Sequence, residues 1–540
     1  MKKRNLFLSL ICSVILTIAL VTFTVVSLVP KKDNGDQNGP TSGNVSDTGS
    51  DVDITINEER DGSLEKPYVI YSADSFKTYV VDKYIDENGE YIDYTKVDEE
   101  SGELVYPELN AGLYYELDRD IDFAGVEFST IFNKGIAFNG HINGNGHVIK
   151  NINISVTKDN IVDVAYSKDS QLVANVGIFG EINGAEIKNI SIVDATVSME
   201  EGLYSHIWSA EFRTDNGTMK SIAVGTLAGV AKNSTIEANV SAKLTAFAYS
   251  VYENERATGL FAVGGLVAAA DTCTIANSNV DVEIVADQGA RYFVGGIAGS
   301  AFDTTITATV VDADITTHYE QALYVAGAVG YTIGLNMEDV TVNFAIVDNS
   351  EERYNTKGIT SINNNSFVSI AGAVHTINVD NTAVSIKNVT VKANADIDGV
   401  YAGAVMDIIN TNGTVLVELT DLIVDSEVNV LKGYGFARKL YDAKVTLSRV
   451  EVELIDEVET SFNVRMTGKV RLDVYKSSDA KMLVASVFAL EMGNTEIAGM
   501  ADLEGNAPAG YRAVNAIVSY QIYSKLTTDT FRPWGSFVKV

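Results

Sequence analysis

The chain has 540 residues, 72 acidic against 40 basic side chains, a formal charge of −32, and 43 glycines but only 6 prolines. That length exceeds what one compact core holds, so several domains or a repeat array is expected. A field of this sign repels phosphate backbones and anionic lipid headgroups, which argues against nucleic acid and lipid surfaces as partners of the body.

Lys2, Lys3 and Arg4 precede an uncharged apolar run from Leu6 to Val29, closed by Pro30. The run is long enough to cross a bilayer, and no small-x-small cleavage site ends it. Residues 1–30 therefore read as a signal-anchor with the body outside the cell, a cleaved signal peptide and a secreted body being the alternative. Cys12 falls inside the run behind Ile11, which disfavours a lipoprotein site and leaves Cys273 without a disulfide partner. Residues 31–60 are rich in Gly, Asn, Ser, Asp and Thr and read as a flexible linker.

Residues 61–122 read as an N-terminal capping region. Ser72 is an N-cap candidate ahead of the short amphipathic pattern Ala73 to Val81, which predicts a capping helix.

From 123 to 430 an apolar-glycine box recurs: Val176-Gly177-Ile178-Phe179-Gly180, Val224-Gly225-Thr226-Leu227-Ala228-Gly229, Val263-Gly264-Gly265-Leu266-Val267 and Val294-Gly295-Gly296-Ile297-Ala298-Gly299. Weaker copies centre on Gly327, Gly372 and Gly403. With Gly177, Thr226, Gly265, Gly296, Gly327, Gly372 and Gly403 as equivalents, the separations are 49, 39, 31, 31, 45 and 31 residues, so 31 is the unit and the rest is insertion. Ten residues after the first four anchors lie Ile187, Ile236, Ile275 and Ile306.

A second signature, Ile149-Lys150-Asn151-Ile152-Asn153-Ile154, recurs from Ile187 and from Ile386 with the two-residue alternation of a half-buried strand. One such unit cannot bury its apolar face, so units must stack as coils with parallel strands and inward apolar columns. The expected fold is all-β, a parallel β-helix (β-solenoid) with a short N-terminal capping helix, forming a rod of roughly 50 Å at ordinary strand spacing. Residues 431–540 keep the alternation while the box fades, and read as terminal coils and a β-rich C-terminal cap.

The stretch from Asp61 to Ile154, with Lys66-Pro67-Tyr68-Val69-Ile70, Tyr114 through Asp122 and Phe138 through Ile149, resembles bacterial surface proteins bearing GLUG-type repeats. The later glycine boxes look like that repeat in weakened form, and the likeness covers roughly Asp61 to Val430. It implies a right-handed β-helix on exported, adhesin-like proteins, some of which carry a metallopeptidase as well.

Signals for chemistry are sparse. None of His141, His147, His206, His318 and His375 is followed by Glu, so no zincin helix is present, and no Gly-x-Ser-x-Gly elbow appears. Asp118, Asp120 and Asp122 could gather around a hard cation, but the spacing fits a structural turn better than a calcium loop. His141 and His147 flank an Asn-Gly turn. Glu237, Asp281 and Glu283 sit at different phases of the repeat and form no cluster. No cofactor or metal site is expected.

The insertions Met199–Ser221, Thr245–Thr258 and Val347–Ser366 fall at one corner and carry Tyr204, His206, Trp208, Phe212, Tyr249, Tyr252 and Tyr354. Tyr204, Trp208, Phe212, Tyr249 and Tyr252 are the candidate contacts for a glycan or an extracellular protein. The reading is a surface-displayed scaffold or adhesin-like binding protein without catalytic activity. A carbohydrate-active β-helix enzyme is the alternative, and stacked carboxylates in a groove would favour it.

Overall fold

The computed structural model describes residues 56–157 and 174–423 with interruptions, and beyond 423 only the backbone of strands. The apolar run from Leu6 to Val29 and the seven aromatic and histidine positions of the insertions lie outside the described residues. Among the described residues no helix is long and apolar enough to cross a membrane.

The body is built mostly of parallel strands, each hydrogen-bonded to its equivalent one repeat later. One unit runs through four sides. Side A is the strand before the glycine box (222–225 in one coil), and side B the strand after it (228–232). Sides C and D then share one long strand, Thr235–Phe247, as they do in Glu186–Met199.

Side C carries the column that the 31-residue period predicts. Ile187 pairs with Ile236, Ile236 with Ile275, and Ile275 with Ile306. All four are fully buried. The column extends both ways, through Ile142, Tyr115 and Tyr68 toward the N-terminus and through Met337, Ile386, Leu419 and Leu447 toward the C-terminus. Burying a branched side chain of this size stabilises by about 1.5–3 kcal/mol, so the stacked column is a principal source of cohesion between coils.

Three readings need correction. Ile149 stacks on Ile192 and Ile142 on Ile187, so the Ile-Lys-Asn signature at 149 marks a later bend of its coil than the one at 187. The similarity is conformational: Asn151, Asn189 and Asn388 all have positive φ (61, 54 and 52°), which asparagine tolerates better than most residues. The first box is also one residue short, because Val176 pairs with Val224 while Phe179 pairs with Ala228. Lastly, the chain joins the body before residue 61: Asn57 is buried against Val69, so the linker does not extend to residue 60.

The helix expected after Ser72 is present. Ser72 and Ser75 form a reciprocal capping box, with α-helix over Ala73–Phe76 and one π-helical turn over Lys77–Val81. Phe76 and Val80 are buried, and Phe76 meets the Phe123 and Phe128 rings. Tyr68, Tyr115, Phe132, Phe138 and Phe179 make the first coils aromatic inside, where later coils use mostly aliphatic residues, with Phe344 and Tyr401 as exceptions. Cys273 belongs to this core, and burial pushes its thiol up to about 12, leaving it inert.

A second apolar seam lies in the angle between sides A and B, built from Ala223, Ala262, Val230, Ala269, Phe293 and Phe302. The two backbones approach so closely there that a Cβ on Gly299 would sit 2.6 Å from the Val263 nitrogen. Near the C-terminal end, strands 450–456, 460–466 and 470–474 turn antiparallel, while 483–486 and 491–492 return to parallel pairing with the coil before.

Candidate functional site: a carboxylate-lined groove on side D

Side D turns alternate residues outward, and the register of the coils fixes which of them become neighbours. Lys243 pairs with Glu283 and Ser241 with Asp281. One coil on, Asp281 pairs with Asp312 and Glu283 with Asp314. The next two coils place Asn343 and then Lys392 beyond Asp312. Four carboxylates thus occupy two adjacent rungs, with Lys243 on the rung before.

Three of them, Asp281, Glu283 and Asp314, line a groove of about 750 Å³ that crosses several coils, together with Asp194, Thr196 and Lys243 among others. That volume is within the range of small-ligand sites. The groove begins where the strand bulges at Asp194, whose φ is 53°. Lys243 Nζ lies 2.6 Å from Glu283 Oε1 and offsets part of the charge. Asp312 stacks on Asp281, and its carboxyl is raised above the usual range by partial burial first, and then by the facing charges of Asp281 and Asp314.

This overturns the expectation that Asp281 and Glu283 belong to no cluster. Asp281 and Asp312 are 31 residues apart, as are Glu283 and Asp314, so the repeat period itself aligns them. Glu237 stays apart, on the side C strand before the bend. The 31-residue spacing is visible in the sequence, but only the register of the stacked coils shows that these carboxylates face one another.

Elsewhere the sequence candidates are engaged locally. Asp118 pairs with Arg119 at 2.7 Å. Asp120 Oδ1 accepts from the Val148 N–H at 3.0 Å. Asp122 accepts from Asn151 Nδ2 and the Ala124 N–H, and with Lys150 nearby its carboxyl falls to about 2. The three side chains therefore splay to separate partners. Among the described residues no group of His, Cys, Asp and Glu is arranged to hold a metal ion.

His141 stacks on Tyr114 at 4.3 Å and faces Glu186 at 3.5 Å, with its pKa lowered chiefly by burial. His147 instead faces Asp120 at 3.4 Å, so the two histidines have different partners.

His375 has the geometry the sequence did not reveal. Its Nε2 lies 2.8 Å from Ser369 Oγ and its Nδ1 2.8 Å from Thr376 Oγ1. Ser369 and His375 are both fully buried in the seam between sides A and B. Ser369 follows Phe293 and Tyr324 in its column, while the register puts His375 where the preceding coil has Gly330. A small hydroxyl thus makes room for an imidazole. With no access for a substrate the pair is a satisfied polar plug rather than a nucleophile.

Each insertion leaves from the end of side D. Met199, Phe247 and Asp348 end the strands before residues 200–221, 248–259 and 349–367. The described flanks place those departures at one corner, beside the groove-lining rows that end in Thr316 and Val347.

No family model matches the chain, and no curated protein matches it. Among solved structures, a chain described as IgA1 Protease is similar over 68% of this chain at 14% identity, with a TM-score of 0.28. This chain covers 22% of that protein's length.

Proposed function

We propose that the protein is an exported, surface-displayed β-solenoid that binds an extended polyhydroxylated chain, a glycan, along the side D groove. The groove itself carries the reading. Its lining offers carboxylate, hydroxyl and ammonium groups in rows that repeat every coil, and the stacking interval of about 4.8 Å is close to the advance of one sugar ring along a glycan. Carboxylates accept pairs of hydroxyl hydrogens, as sugar recognition requires. The right-handed winding, the GLUG-type kinship and anchorage through residues 6–29 belong to the same proposal, supported by the sequence patterns and by the strong preference for right-handed parallel crossovers. Aromatic residues of the insertions, Tyr204, Trp208, Phe212, Tyr249 and Tyr252, would extend the contact at the corner where the groove ends.

A panel of neutral, acidic and amino-sugar polysaccharides presented to the full chain tests this. Asp281→Asn with Glu283→Gln should weaken binding roughly tenfold or more, the scale of losing charged hydrogen bonds. Deleting 200–221 should weaken it less. Equal binding by the wild type and the groove variant would remove the groove from the function.

The stacked carboxylates favour one second reading, a carbohydrate-active enzyme, because two carboxyl groups in unlike environments are what glycoside cleavage uses. Asp312, whose carboxyl is raised by partial burial and by the facing charges of Asp281 and Asp314, would be the candidate acid, with Asp281 stacked beside it. Shortening of a bound polysaccharide by the wild type, abolished in Asp312→Asn, would establish that reading; unchanged chain length after prolonged incubation would leave the protein a binder.

A further inference from the structure

The first strand of the stack, Tyr68–Ile70, pairs on one edge with Tyr114–Leu117, and among the described residues no strand pairs with its other edge. An open edge of this kind is a template for another chain. In a parallel ladder alternate residues point their N–H and C=O groups to opposite sides. Ile70 faces the next coil, since its carbonyl accepts from the Asp118 N–H at 3.1 Å. Pro67, Val69 and Tyr71 therefore face outward.

Each of the three is blocked by a different device. Pro67 has no N–H to offer, and its carbonyl accepts from Arg60 Nη1 at 2.7 Å. The Val69 N–H donates to Asn57 Oδ1 at 2.9 Å, and the Val69 carbonyl accepts from Asn57 Nδ2 at 3.0 Å. The Tyr71 N–H donates to Ser75 Oγ at 2.9 Å. A side-chain amide carries the same donor and acceptor as a peptide group, so buried Asn57 occupies the place that a strand from another molecule would take. Arg60 is held by a second bond to Glu116 Oε1 at 2.9 Å, which ties the block to the following coil.

We infer that Asn57, Arg60, Ser75 and Pro67 form an edge plug that keeps this end of the solenoid from adding a strand of a second copy of the same chain. The same chain is the relevant partner because its own coils already present parallel strands of matching period. Head-to-tail addition along the stacking direction continues the ladder from copy to copy, so without the plug the expected product is an open filament. The short helix serves the plug directly, because Ser75, partner of Ser72 in its capping box, supplies one of the blocking acceptors.

The test uses the full chain carrying Asn57→Leu, which keeps the branched shape and removes both bonds. Hydrogen exchange at the Val69 amide reports whether the edge has opened, circular dichroism reports folding, and sedimentation velocity over a concentration series reports assembly. Protection at Val69 should fall roughly tenfold, the factor expected for a lost buried hydrogen bond, and concentration-dependent elongated species should appear that the wild type lacks. A folded variant with an exposed Val69 amide that sediments like the wild type would overturn the inference. So would a Val69 amide that stays protected at dilutions where the variant sediments as a monomer. If Asn57→Leu does not fold, Asn57→Ala, which removes both bonds without adding a bulky branch, is read by the same measurements and decides by the same criterion.

Discussion

At three bends of the coil the backbone enters the left-handed region, and the residues found there show how far local chemistry is met. Gly184, Asn233, Thr272, Asp303 and Gly334 follow one another at the bend between sides B and C, all with positive φ. Between sides C and D the series is Asn189, Asn277, Ala308, Asp339 and Asn388. Asparagine, aspartate and glycine suit this conformation, whereas alanine gains nothing from it. Ala308, at φ 47°, is the weak member. Ala308→Asn should therefore raise stability by about 0.5–1 kcal/mol, read as a higher denaturant midpoint at unchanged slope. Asn151 and Asp194 share the third such bend, within side D. These asparagines made two unlike bends look alike in sequence, because the motif records a backbone conformation and not a place in the coil.

Among elements, side C holds the coils in register and side D carries the candidate site. The inward column on side C has no slack, as Ile236, Ile275 and Ile306 are fully buried against one another. Ile275→Ala should cost about 3 kcal/mol within the usual range for a buried isoleucine, and Ile275→Val about 1 kcal/mol, both measurable by denaturant unfolding of the body. Neighbouring coils should lose amide protection first, since a stack transmits damage mainly to nearest neighbours. Sides C and D differ in what sequence can reveal. An inward column must be apolar in every coil, so its period shows directly. An outward row tolerates any polar residue, so Asp281, Glu283, Asp312 and Asp314 are conspicuous only once the coils are laid over one another.

For the molecule as a whole, three kinds of titration shape the response to pH. Asp61, Asp120, Asp122 and Glu186 have pKa values lowered by hydrogen bonds and nearby cations. Their contribution is complete above the unfolded carboxylate range and is lost as pH falls toward about 2, the value for Asp122. His141 is lowered from 6.5 by burial, so the unfolded chain binds that proton more readily and stability declines as pH drops below 6.5. Asp312 runs the other way. Its pKa is raised from 3.8, so the ionised form is disfavoured in the fold and stability is gained as pH falls through the folded value toward 3.8. Asp312→Asn should accordingly raise the thermal midpoint at neutral pH, with the gain vanishing below 3.8. Equal gains at both pH values would mean that the carboxylates of side D do not repel.

The sequence by itself determined the repeat, its 31-residue unit, the inward isoleucine column and the capping helix after Ser72, because each follows from local periodicity or from residues adjacent in the chain. The tertiary structure alone decided which outward groups meet. Stacking brings Asp281 to Asp312, Ser369 to His375 in place of a ring and a glycine, and Asn57 to Val69. The physical reason is that an apolar column is imposed on every coil by water, whereas a polar contact depends on one register, one bulge and one bend, and those are set only when the whole coil closes.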